Sequence, residues 1–238
     1  MTNAEVYIEK YKKLEATARK FYDFPEDEPV SHFLRGRSEF RQIYADIKYC
    51  SEVRNFLQHK EKVDRSFTIE PSDSMMIFID NLIKRIQKRT HSIDIAIKFK
   101  DIYWRSLTDN IKEAMLVMRS RVYTHVPILN NQQVIGVFDE NAVFNYLADS
   151  GIIDIDDSLT FCDLRDYLSM EKRDMETFIF KKSSLYVDEL RSEFEKAFQK
   201  GIRIGVAFLT PSGKASEPLQ AMITPWDILG RCEDITIE

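Results

Sequence analysis

The strongest constraint in this sequence is a pattern that occurs twice. The first copy reads His125-Val126-Pro127-Ile128-Leu129, then the polar turn Asn130–Gln133, the apolar run Val134–Phe138, and a helical stretch from Asp139 to Leu147. The second reads Ile202–Leu209, the turn Pro211–Lys214, the run Leu219–Ile223, and a helix from Thr224. Each copy is strand, turn, strand, helix. One such unit cannot bury its own apolar faces, whereas two stacked copies can, so the repetition narrows the architecture before any single residue does.

The residues ahead of the repeat are of another kind. In residues 3–22, Tyr7, Tyr11, Leu14, Ala18 and Phe21 recur at helical spacing. Two prolines and three acids in Phe24–Pro29 break that helix. A second helix is expected from Ser31 or Ser38 to about Lys62, with Phe40, Ile43, Tyr44, Ile47, Cys50, Val53 and Leu57 inward and Gly36 as a separator. A third is capped by Ser72 or Asp73 and runs to Lys88, with Met76, Ile79, Leu82, Ile83 and Ile86 inward. Its basic end suits a helix C-terminus and needs no nucleic acid. Helices with short connections predict a small bundle. Farther on, Thr108 or Asp109 is expected to cap a helix over Asn110–Arg119. Leu164–Leu168 reads as a short helix and Thr177–Phe180 as a strand. Val187–Gln199 reads as a helix with Leu190, Phe194, Ala197 and Phe198 inward.

Composition sets the bounds. The chain has 238 residues, 44% hydrophobic and 31% charged, with only 7 glycines and 7 prolines, so packed, helix-rich domains are expected rather than disorder. Net charge is −5. Residues 1–100 carry 19 Lys/Arg against 16 Asp/Glu, and residues 101–238 carry 15 against 23. This asymmetry suggests two domains with different partners, the first permitting nucleic-acid contact without demanding it. The longest apolar runs, Met75–Ile79 and Ile204–Leu209, are too short to span a bilayer. The opening Met1–Glu5 lacks the basic start and apolar core of a leader. Cys50, Cys162 and Cys232 show no metal or disulfide spacing. A cytoplasmic protein without membrane contact is the expectation. His32, His91 and His125 have no partners at metal-ligand spacing, so no metal is expected, and His125 is read as structural.

Ala221–Leu229 is the stretch that points to a ligand. In Thr224-Pro225-Trp226-Asp227 the Thr is a helix N-cap, Pro takes the first helical position, and the acid returns the capping bond. The same groups could bind a nucleotide, the hydroxyl touching a phosphate and the carboxylate accepting from a ribose diol. Residues 100–235 resemble a tandem cystathionine-β-synthase-type (CBS) pair, a module that binds adenine nucleotides in clefts between its halves. The resemblance implies an α+β chain, an N-terminal helical bundle followed by two pseudo-twofold related β-α-β-β-α units. Residues 1–92 would be the bundle and 93–238 the pair, with units at about 98–151 and 155–235. It implies that Thr224 and Asp227 contact phosphate and ribose, while residues near Phe180 and Arg203 frame the base. The matching positions of the first copy are Asp139 and Ala142; an Asp repels phosphate and an Ala cannot hold a diol. One competent site and one degenerate site are therefore expected, the ligand being AMP, ADP, ATP or S-adenosylmethionine.

Val53-Arg54-Asn55-Phe56-Leu57-Gln58-His59-Lys60 resembles the signature of HEPN domains, dimeric helical bundles of which many cleave RNA without metal. Carried over, Arg54 would stabilise charge on the phosphate, His59 would move a proton and Asn55 would orient them. Positions five apart lie about 140° apart on a helix, so Arg54 and His59 diverge unless the helix ends or bends between them, and a site composed across a homodimer would resolve this. The plain alternative is a helix end carrying favourable cations. Three functions follow from the sequence. One is a nucleotide-sensing regulator with a helical output domain. Another is a metal-independent ribonuclease gated by the pair. The third is a scaffold with both sites empty.

Overall fold

Thr2 begins the first helix with a complete capping box, its hydroxyl accepting from the Glu5 amide while the Glu5 carboxylate accepts from the Thr2 amide. Helix α1, Asn3–Phe21, then runs with Tyr7, Tyr11, Leu14 and Ala18 buried, the stripe read from the sequence. The computed structural model describes residues 1–22, 24–59, 67–151, 155, 157–170 and 176–229. These fall into two units, Met1–Arg89 and Thr90–Glu238.

The first unit is helical. After α1 come α2 (Val30–Arg35), a 3₁₀ turn (Ser38–Ile43), α3 (Tyr44–His59) and α4 (Asp73–Gln87), the last capped by the Ser72 hydroxyl. Gly36 ends α2 and separates this short helix from the main one, as the sequence suggested, and a 3₁₀ turn stands where the main helix was expected to open at Ser38. Phe40, Ile43, Ile47, Cys50, Val53 and Leu57 still point into one core with Ile79, Leu82, Ile83 and Ile86 of α4. Tyr7 donates its buried hydroxyl to the Cys50 carbonyl at 2.8 Å, and burial pushes its ionisation upward. The expected helix end at Lys62, Cys232 and the acidic tail after Gly230 lie outside the described residues.

The second unit holds α5 (Ser92–Ile95), β1 (Ile97–Lys98), α6 (Ile111–Arg121), β2 (Val126–Asn130), β3 (Gln133–Phe138), α7 (Glu140–Ser150), β4 (Glu176–Lys182), α8 (Val187–Gln199), β5 (Arg203–Thr210), β6 (Ala221–Ile223) and α9 (Pro225–Leu229). β2 and β3 form an antiparallel hairpin whose turn places Asn131 and Gln132 at positive φ, as a two-residue hairpin turn with right-handed strands requires. The other sheet runs β1-β6-β5-β4, with β4 parallel to β5 and β6 antiparallel to both neighbours.

The two halves repeat each other's hydrogen bonds. β5 has parallel β4 on one side and antiparallel β6 on the other; β2 has a parallel bridge to Arg105 on one side and antiparallel β3 on the other. The segment before each repeat serves the opposite one. Ile97 and Lys98, ahead of the first repeat, pair with β6, while Leu168, ahead of the second, accepts from Val137 of β3 at 3.0 Å. His91 bridges Tyr186 at the start of α8, and Thr160 bridges Asn110 at the start of α6. Two such reciprocal crossings describe a β-α-β-β-α duplication related by a pseudo-twofold, and the chain as a whole is α+β.

Strand alternation divides the four-stranded sheet between two cores. Phe178, Val206, Phe208 and Met222 face a cluster with Ile102, Leu129, Val134 and Val137, which joins the repeats. Ala207, Leu209, Ala221 and Ile223 face Leu190, Ile95 and Ile228. In α8 only Leu190 is fully buried, and Phe198, expected inward, is 75% exposed. At 100° per residue Phe198 stands roughly 80° from Leu190 around the helix, which turns it off the sheet.

Candidate functional site

Thr224 lies between the end of β6 and the start of α9. Its backbone N–H donates to Asp227 Oδ2 at 2.7 Å and its hydroxyl donates to the same oxygen at 2.8 Å. Both residues are half-buried, and among the described residues nothing else hydrogen-bonds the Asp227 carboxylate, so Oδ1 is open. A hydroxyl has one proton, so Thr224 either holds Asp227 or donates to a ligand.

The clasp by itself is not distinctive. Thr160 donates its N–H and hydroxyl to Asp163 Oδ2, each at 2.8 Å, and these bonds hold the Asp163 carboxyl below its usual range. Ser106 donates its N–H to Asp109 Oδ2 at 2.8 Å as well. What sets Thr224 and Asp227 apart is their place, directly after the last strand of their repeat. In the first repeat that place belongs to Asp139, which caps α7 by accepting from the Ala142 amide at 2.8 Å and is only 3% exposed.

The other two expected nucleotide contacts stand elsewhere on the sheet. Ile223 pairs with Ala207, so Thr224 comes level with Val206 and its neighbour Phe178. Phe180 is farther along β4, its ring 5.4 Å from that of Phe208 in the core joining the repeats. Arg203 is exposed at the start of β5, three residues from Val206, or roughly 10 Å of extended strand.

The structure brings together a group that sequence spacing did not reveal. His125, Asp139 and Glu176 each present a ligand atom within 4.8 Å of the other two. His125 Nε2 and Glu176 Oε1 are 3.3 Å apart, and the Thr124 hydroxyl meets His125 Nδ1 at 2.9 Å. The imidazole edge also packs against the Phe178 ring at 5.8 Å. The residues are 14 and 37 positions apart along the chain, and only the packing of one repeat on the other makes them neighbours. The legible hint was Asp139 itself, an acid where the companion repeat has a hydroxyl.

In the helical unit, Arg54 turns toward α1. Its Nη2 donates to Glu15 at 3.1 and 3.4 Å, its Nη1 donates to Asn55 Oδ1 at 2.9 Å, and its guanidinium lies 5.6 Å from the centre of the Tyr11 ring. Among the described residues its buried Nε has no partner. His59 is exposed at the last position of α3 and makes no hydrogen bond or ion pair among the described residues.

The sequence matches no family model and no curated protein. Solved structures similar to it are the CBS domain pair of protein MJ0100 in complex with 5′-methylthioadenosine and S-adenosyl-L-methionine (16% identity over 60% of this chain and 94% of that one, TM-score 0.42), a hemolysin-like protein containing a CBS domain from Oenococcus oeni PSU (12% identity, 59% and 88%, TM-score 0.40), and CbpB in complex with c-di-AMP (14% identity, 59% and 83%, TM-score 0.43).

Proposed function

We propose that this chain is a ligand-sensing regulatory protein. Its second repeat binds an adenine nucleotide through Thr224 and Asp227, and the ligand acts on the helical unit Met1–Arg89. The supporting observation is the asymmetry of two equivalent positions. One repeat ends in a hydroxyl and an acid with an open oxygen; the other ends in a buried acid and an alanine. Hydrogen-bond accounting fits a ribose. When the Thr224 hydroxyl turns to a phosphate, Asp227 loses one donor, and the two hydroxyls of a ribose diol more than replace it. A purely anionic ligand without a diol would leave that carboxylate with the Thr224 N–H as its one donor among the described residues. The ligand shifts the output only as far as it prefers one arrangement of the chain over another.

A homodimer is part of the proposal. Leu116 of α6, Phe144 of α7, Phe198 of α8 and Trp226 beside Asp227 are 51 to 77% exposed. Large apolar side chains on the helices of both repeats suit burial against a second copy. Among the described residues the Arg54 guanidinium is held by Glu15 and Asn55, which favours the regulatory reading over an RNA-cleaving one.

Calorimetric titration of AMP, ADP, ATP and S-adenosylmethionine tests the site, with Trp226 as a fluorescent reporter in a Trp104→Phe background. At least one of these binds the wild type, and Asp227→Asn weakens it about tenfold, or about 1.4 kcal/mol. The variant keeps an acceptor for the Thr224 amide, so the helix cap survives. A nucleotide lacking the 2′ and 3′ hydroxyls loses affinity for the wild type but not for the variant. Silence from the wild type, or equal binding by both proteins, refutes the reading.

A further inference from the structure

We propose that His125, Asp139 and Glu176 bind one first-row divalent transition metal ion, with Zn²⁺ as its prototype. The proposal is independent of the nucleotide reading, because it uses neither Thr224 nor Asp227. His125 precedes β2, Asp139 follows β3 and Glu176 opens β4, so two ligands come from the first repeat and one from the second. Bonds of about 2.0–2.1 Å in a tetrahedral set put ligand atoms roughly 3.4 Å apart. The His125–Glu176 separation is already 3.3 Å, and all three ligand atoms lie within 4.8 Å of one another.

The chemistry of the donors selects the ion. One imidazole and two carboxylates suit zinc, manganese, iron or cobalt, and leave a coordination position for water. Calcium and magnesium take oxygen ligands, and thiolate-seeking ions find no sulfur in the group. Charge points the same way. Asp139 is 3% exposed, and the His125 and Glu176 side chains are 13% and 18% exposed. A divalent cation placed between the two carboxylates is attracted by both, and more strongly for their being largely out of water.

Two further features shape the place. The Thr124 hydroxyl lies 2.9 Å from His125 Nδ1. Accepting from that nitrogen fixes the tautomer whose Nε2 lone pair points at the carboxylates, the outer contact that orients a ligating histidine. On the other side, β5 presents Gly205. A Cβ there would stand 2.6 Å from Glu176 Oε1 and 3.0 Å from His125 Nε2. The strand passes the group bare, and any other residue would force both ligands aside.

The test uses the full chain, stripped with chelator and dialysed, then titrated with Zn²⁺ and with Co²⁺. The expected result is one ion per chain and a higher melting temperature. The Co²⁺ spectrum shows nitrogen–oxygen ligation without a thiolate charge-transfer band, which excludes the cysteines as the binders. Glu176→Gln and Asp139→Asn each lower Zn²⁺ affinity at least tenfold; the Asn still caps α7, and circular dichroism confirms both are folded. Gly205→Ala, which retains all three ligands, also weakens binding. No uptake by the wild type at micromolar Zn²⁺, a thiolate band, or binding unchanged in both carboxylate variants overturns the proposal.

Discussion

Replacing Gly136 by alanine probes the contact on which the reciprocal architecture depends. Gly136 sits in β3 opposite Ile128, and the segment leading to the second repeat crosses directly over it. A Cβ at 136 would lie 2.9 Å from both the Cβ and the carbonyl oxygen of Leu168. Ordinary contacts there need about half an ångström more, and the obstacle is backbone in a residue only 2% exposed. To make room, Leu168 must back away and stretch the 3.0 Å bond that its carbonyl accepts from Val137. Overpacking a tight site costs about 1–3 kcal/mol, and the weakened bond adds about 1 kcal/mol. Gly136 is not at positive φ, so alanine also recovers about 0.4–1 kcal/mol by restricting the unfolded chain. The expected net loss is about 2 kcal/mol, or roughly 4–8 °C in melting temperature for a unit of this size.

Urea unfolding followed by tryptophan fluorescence measures it, because Trp104 and Trp226 both belong to the unit Thr90–Glu238. Adding Leu168→Ala should not relieve the loss, since the clashing Cβ and carbonyl remain. A loss below about 0.5 kcal/mol for Gly136→Ala, or rescue by Leu168→Ala, would refute the argument.

The remaining predictions concern separate sites. A double-mutant cycle on Glu15 and Arg54, whose side chains are 27% and 24% exposed, should give a coupling of about 0.5–1 kcal/mol by chemical denaturation; no coupling would free Arg54 for another role. Glu217 accepts from the Ser212 amide and hydroxyl and from the Lys214 amide, which lowers its carboxyl to about 2. Because the folded value is depressed, the stabilisation is present above the ordinary Glu range and is lost as pH falls toward about 2. A carbon-13 NMR titration with an ordinary midpoint at Glu217 would contradict this. Phe198→Asp, at a 75% exposed position, should leave the melting temperature within about a degree while shifting the mass seen by light scattering from dimer to monomer; a monomeric wild type would end the dimer claim.

Much of the fold was legible because period and punctuation agreed. The α8 limits Val187 and Gln199 follow from the apolar stripe, and the α4 cap at Ser72 follows from a hydroxyl before an apolar run. The misreadings have local causes. The 3₁₀ turn Ser38–Ile43 stands where periodicity read the opening of the main helix, since period sets which side faces inward but not how tightly the backbone winds. Phe198 belongs to the stripe of α8 by spacing and to solvent by angle, and a stripe alone does not say which of its members the sheet covers. At the site, the Thr224–Asp227 clasp could be read from four consecutive letters because it is local. The group around His125 could not. Its members meet only when β4 of one repeat lies beside the hairpin strand of the other, and no spacing rule along the chain encodes that meeting.

The two repeat ends illustrate how one backbone position can be turned toward opposite charges. At the start of α9 the capping residue is a neutral hydroxyl, and its acid stands one turn later with an oxygen to spare. At the start of α7 the capping residue is itself the acid, the residue one turn later is Ala142, and a second carboxylate and an imidazole close in from neighbouring strands. A phosphate brought to Asp139 would meet two carboxylates, while a cation brought to Thr224 would find one carboxylate already engaged. Moving charge alone should therefore move ligand preference. Asp139→Thr removes one of the two carboxylates and restores a capping hydroxyl, so it should abolish Zn²⁺ uptake without unfolding α7. It should still not create a second nucleotide site, because Ala142 offers nothing to a ribose. Nor can an acid be supplied there, since Ala142 is 1% exposed in the apolar core with Ile111 and Phe138 and a carboxylate would be buried without a partner; Asp139→Thr should therefore lose Zn²⁺ uptake while nucleotide binding stays at one per chain, and two nucleotides per chain in that variant would refute the reading.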